Sequence, residues 1–86
     1  MAMIEGTLHL DKLPERGVRL VFSPRTKGTN SRPLGIPTTE QVLSDLESFW
    51  GFSPSKARAA IAQLEKDGQV QLSVTVDEQA IAPLFS

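Results

Sequence analysis

The chain has 86 residues, a formal charge of −1, 40% apolar residues and no cysteine. That length makes one domain, which buries only about 60–65% of its unfolded surface, and the composition is not that of a disordered chain. The absence of cysteine excludes disulfide staples and thiolate metal sites, so a small core must rely on packing or on a second subunit, and a homodimer is expected.

The charge is unevenly spread. Residues 1–37 carry Lys12, Arg16, Arg19, Arg25, Lys27 and Arg32 against Glu5, Asp11 and Glu15, a net of +3. Residues 38–86 carry Lys56, Arg58 and Lys66 against seven acids, a net of −4. Attraction to phosphate is therefore expected mainly from the first 37 residues. No apolar run approaches the ~20 residues of a membrane span, and the N-terminus lacks the regions of a signal peptide. A cytoplasmic protein is expected.

Residues 3–11 alternate, with Ile4, Gly6, Leu8 and Leu10 on one side and Glu5, Thr7, His9 and Asp11 on the other. Period two means a half-buried strand. A turn over residues 12–17, with Pro14 and Gly17, precedes renewed alternation in Val18, Leu20 and Phe22. The two runs predict an antiparallel hairpin over residues 1–23; Val21 on its outer face reads either as a contact site or as an ordinary exposed valine.

Residues 24–37 read as a loop, because Pro24, Pro33 and Pro37 remove donors and Gly28 and Gly35 loosen the chain. Arg25, Lys27 and Arg32 give it two readings. It is either a solvated connector or a basic arm that contacts phosphates or enters a minor groove.

A first helix is predicted from Thr38, which has capping-box spacing to Gln41. Val42, Leu43, Leu46, Phe49 and Trp50 share one face, and Phe49 and Trp50 are expected at the centre of the core. Trp50 has a second reading as an interface anchor. Gly51 ends this helix with Phe52 folding back, and Ser53-Pro54 opens a second. Ala57, Ala60, Ile61 and Leu64 face inward, and Gly68 stops that helix.

Residues 69–76 alternate again, with Val70, Leu72, Val74 and Val76 on one side. Asp77-Glu78-Gln79 reads as a turn. The apolar tail Ala80–Phe85 either returns along the last strand, caps the core or docks on a second subunit. Pro83 confines any strand there to an edge.

Two helices joined by Gly51-Phe52-Ser53 match a helix-turn-helix. The run Gly-Phe-Ser, then Ala57-Arg58, Ile61, Leu64 and Gly68-Gln69-Val70, resembles the recognition half of winged helix-turn-helix repressors of the GntR type, over residues 38–76. The resemblance implies that the second helix enters the major groove of double-stranded DNA. Ser55, Lys56, Arg58, Ala59, Ala62, Gln63 and Lys66 would then form the nucleic-acid-binding face. Arg58 would donate to guanine or phosphate, Ser55 and Lys56 would meet phosphate, and the two alanines would touch a thymine methyl. Read from the residues alone, the same positions are a solvated face.

The chain departs from that family in three places. A hairpin stands where an extra helix is usual, Glu47 replaces a small residue, and the wing tip Asp77-Glu78 is acidic, which favours a protein partner. Catalysis has little to stand on: His9 is a lone surface residue on a strand, and the acids have no ligand spacing. No enzyme, cofactor or metal site is expected.

The expected architecture is therefore α+β: an N-terminal β-hairpin, a helix-turn-helix at 38–68, and a strand within 69–86 completing a small antiparallel sheet. The expected function is a winged-helix-like DNA-binding transcriptional regulator. The alternative is a protein–protein interaction module, or an accessory or inhibitory protein of phage or mobile-element type, without intrinsic DNA binding.

Overall fold

The computed structural model of the chain describes residues 3–25 and 31–81. Strands β1 (Met3–Lys12) and β2 (Val18–Pro24) form the hairpin, with Leu8 opposite Phe22. A third strand, β3 (Arg32–Gly35), follows and pairs antiparallel with β2. Helices α1 (Thr39–Ser48) and α2 (Pro54–Asp67) come next, then β4 (Gln69–Asp77) and a last turn of helix, α3 (Glu78–Ile81). The sheet order is β3-β2-β1-β4, antiparallel throughout. The α+β architecture read from the sequence is the one found, with β4 completing the sheet beside β1 rather than beside β2.

Alternation decides which face is covered. Leu8, Leu10, Val18, Leu20, Phe22, Val70, Val74 and Val76 point under the helices and are buried, while Ile4 and Leu72 are half-buried. From the helices, Val42, Leu46, Ala57, Ala60 and Leu64 meet them, with Ile61 half-buried beside them.

The helix boundaries have local causes. Thr38 is extended, and its hydroxyl accepts from the Gln41 N–H at 3.1 Å. Gln41 does not reach back to close the capping box; its amide donates to Asp45 at 2.8 Å instead. Ser53 accepts from the Lys56 N–H at 3.3 Å, and Pro54 occupies the first turn, where its missing N–H costs nothing. Gly68, at φ +80°, stops α2 by donating to the Leu64 carbonyl at 2.8 Å.

Three expectations are corrected. Residues 24–37 are not all loop, because Pro24 belongs to β2 and residues 32–35 to β3. A proline is tolerated there because β3 is an edge strand, where the missing N–H at Pro33 can face away from the sheet. Asp77-Glu78-Gln79 is not a free turn. Asp77 ends β4, and its carboxylate accepts the Gln79 N–H at 2.9 Å, so it caps α3.

The third correction concerns the aromatic pair. Helix α1 stops at Ser48, so residues 49–53 join the helices where a three-residue turn was expected. Phe22, not Phe49, is the large aromatic ring at the centre of the core. Trp50 is half-buried and stacks on Phe22 with centroids 6.0 Å apart. Phe49 sits edge-on to Trp50 at 4.9 Å and is 37% exposed. The short β3 is the last strand on that side, and no other strand among the described residues lies beyond it to cover Phe49.

Of the three courses open to the tail, one is found for its start. Ile81 of α3 is completely buried, so the start of the tail caps the core; residues 82–86 lie outside the described residues.

Candidate nucleic-acid interface

Helix α2 packs against β4, β1 and α1 through Ala57, Ala60 and Leu64. At 100° per residue the opposite face must carry Ser55, Ala59, Ala62 and Lys66, flanked by Arg58 and Gln63. All of these, and Lys56, are exposed. The seven positions read from the sequence are thus brought together on one helix, about 21 Å long at 1.5 Å per residue, enough to lie in a groove about 12 Å wide.

Ion pairing sorts the cations into two groups. Lys12 on β1 is paired with Glu65 of α2, Arg19 with Asp11 at 3.2 Å, and Arg25 with Glu5 at 3.2 Å. Each pair is solvent-exposed and contributes little to stability, but each offsets a charge of the basic N-terminal half. Among the described residues, no ion pair holds Arg16 of the hairpin turn or Lys56, Arg58 and Lys66 of α2. Lys12, Arg19 and Arg25 are locally neutralised, whereas no ion pair among the described residues offsets the three cations of α2.

The basic arm is only partly in view. The Arg25 N–H donates to the Glu5 carbonyl at 2.9 Å, which together with its ion pair fixes it beside β1. Arg32 starts β3 at the sheet edge, and Lys27 lies outside the described residues. Arg25, just after β2, and Arg32, in β3, stand on parts of the fold other than α2.

Two further surfaces went unnoticed in the sequence. The uncovered face of the sheet has a shallow depression of about 270 Å³ lined by His9, Asp11, Val21, Ser23, Ser31 and Gln71. His9 is half-buried there rather than fully at the surface, and Ser23 and Ser31 share a 2.8 Å hydrogen bond. The signal was the polar set of alternating residues, which names a solvent-facing side but no concavity. The second surface is an apolar groove of about 370 Å³ between β3 and α1, lined by Leu20, Leu34, Ile36, Pro37, Phe49 and Trp50, with Asp45 also on its wall. No sequence period could reveal it, because it depends on β3 lying alongside α1.

Among the described residues no group of three histidine or carboxylate side chains could hold a metal ion, and no helix is long and apolar enough to cross a membrane. No protein-family model, no curated protein and no solved structure matches this chain.

Proposed function

We propose that this chain is a small winged-helix-like DNA-binding protein acting in transcription regulation, and that α2 is its recognition helix. One observation carries the reading: Lys56, Arg58 and Lys66 stand exposed around the small Ala59 and Ala62, without an ion pair among the described residues, while Lys12, Arg19 and Arg25 are taken up by acids. A helix with small residues at its crest approaches a groove floor closely. Arg58 then donates to guanine O6 and N7 or to phosphate, and Gln63 reads an adenine edge. Lys56 and Lys66, nearly three turns apart, contact phosphates, and Ser55 adds a hydroxyl donor near the helix start.

The test is fluorescence anisotropy on a labelled mixed-sequence duplex over a range of salt. Affinity should fall with log salt at about 0.9 per phosphate contact, and losing one phosphate-contacting cation should reduce that slope by about 1. Absence of binding at the lowest salt would remove the proposal.

The alternative, a protein-interaction module or an accessory or inhibitory protein of mobile-element type, is favoured by a different observation. The groove beside α1 exposes Ile36 at 46% and Phe49 at 37%, and paired apolar side chains of that size suit a peptide or helix anchor. Under this reading Phe49→Asp abolishes partner capture, and charge removal on α2 does not.

A further inference from the structure

The two edges of the sheet are built differently. The β3 edge is four residues long, contains Pro33, and pairs through a register shift between Leu20 and Val21. Shortness, proline and irregularity are the usual devices that stop an edge from recruiting another strand. The β4 edge has none of them. It is nine residues long, in unbroken register with β1 from Gln69 to Asp77, and holds no proline, glycine or lysine. Its one charge, Asp77, is at its end.

Hydrogen-bond parity tells which groups that edge offers. The Lys12 N–H donates to the Gly68 carbonyl at 2.9 Å. In an antiparallel ladder bonded pairs alternate with unbonded ones, so Leu10–Val70, Leu8–Leu72, Gly6–Val74 and Ile4–Val76 are the bonded pairs. The Arg25 N–H to the Glu5 carbonyl fits this, since it turns the intervening residues of β1 toward β2. It follows that the N–H and C=O groups of Gln69, Gln71, Ser73, Thr75 and Asp77 point off the sheet. No other strand among the described residues pairs with them.

We infer that the occupant of this edge is a second copy of the chain, paired antiparallel through β4 about a two-fold axis at Ser73. This register uses all nine residues. It sets outward-pointing groups against outward-pointing groups, with Ser73 opposite its own copy, Gln71 opposite Thr75 and Gln69 opposite Asp77. No like charges meet. On the helix-covered face, Val70 pairs with Val76 and Leu72 with Val74. Leu72 is the only half-buried member of that row, and a neighbouring Val74 covers its open side. Helix α2 lies over β4 and β1, so its copy lies two strand spacings away, about 10 Å, an ordinary separation for packed helices. The product is a continuous eight-stranded sheet. This inference does not rest on the DNA-binding reading, since mass and exchange measurements need no nucleic acid.

Sedimentation and amide exchange on the full chain test it. The expected mass is twice 9.4 kDa, with Gln71, Ser73 and Thr75 amides protected in a concentration-dependent way. Ser73→Pro removes only an outward N–H, so it should give a folded monomer with the β1 ladder intact. Ser73→Lys, which places like charges at the axis and keeps the N–H, should weaken the dimer most at low salt and decides the matter if the proline variant fails to fold. Three results would overturn the inference. One is a wild-type chain that stays monomeric from micromolar to millimolar concentration. Another is a dimer that survives both substitutions, or is dissociated by Phe49→Asp instead. The third is protection of the same amides in a monomer, which would assign the edge to the segment after Ile81.

Discussion

Gly6 lies directly beneath the ring of Phe22. A Cβ at Gly6 would come within 2.6 Å of Phe22 Cζ and 2.6 Å of the Ser23 carbonyl oxygen. The glycine therefore leaves room for the fully buried Phe22 ring to pack closely against β1. Gly6→Ala should destabilise the fold by about 1–3 kcal/mol through overpacking. In a thermal melt that lowers Tm by about 4–8 °C per kcal/mol for a domain of this size. Adding Phe22→Leu, which removes Cζ, should recover only part of the loss introduced by the alanine, because the Ser23 carbonyl is backbone and cannot retreat. Full additivity of the two substitutions would show that Gly6 and Phe22 are not coupled.

Charge removal should separate the two groups of cations. Arg58→Ala should flatten the salt dependence of duplex binding by about 1 in slope if it contacts phosphate, or cost about 1–3 kcal/mol at one base position if it reads guanine. Arg19→Ala should leave both unchanged, because Asp11 already offsets that charge. Anisotropy titrations of the two variants side by side make the comparison. Equal effects would mean that net charge alone is being measured.

Ile81 should matter far more than its place in a four-residue helix suggests. It is completely buried against the core, and truncating such a side chain costs about 2–5 kcal/mol. Ile81→Ala should thus lower the urea midpoint sharply, whereas Ala80→Ser, at an exposed neighbour, should leave it within error. A null effect at Ile81 would show that α3 does not seal the core.

Helix α2 should depend measurably on its cap. Ser53→Ala removes the acceptor for the Lys56 N–H and should cost about 1 kcal/mol, while Ser53→Asp should keep the cap and favour the positive end of the helix. Circular dichroism melts suffice to check the order. An aspartate less stable than the alanine would contradict the assignment of Ser53 as the cap.

Much of this fold was legible because its elements are locally consistent. The period-two runs at residues 3–11, 18–23 and 69–76 and the Ser53-Pro54 to Gly68 helix each have a pattern and a boundary signal that agree. Strand β3 was not legible: four residues with Pro33 in their midst show no alternation, and only β2 beside them makes them a strand. Phe49 was misjudged because helical phase says which way a residue points but not whether anything is there to meet it. The α2 face could be mapped from 100° geometry alone, and its exposed residues are those expected. Its electrostatic isolation could not, because the Lys12–Glu65 pair joins residues 53 apart in the chain. The edge left open by β4 likewise follows from sheet order, which no local pattern encodes.

The place of β1 between β2 and β4 also shapes the time course of folding. Its pairing with β2 closes across a short turn, but Leu8 meets Leu72 across a sequence separation of 64. Loop closure over that distance must precede the reward of contact, so the first strand holds one side unpaired until nearly the whole chain is available. The β1–β2 hairpin is then the natural early structure, with the β1–β4 ladder formed at or after the rate-limiting step. Folding rates should respond weakly to changes in β4, whose effects should appear mainly as faster unfolding.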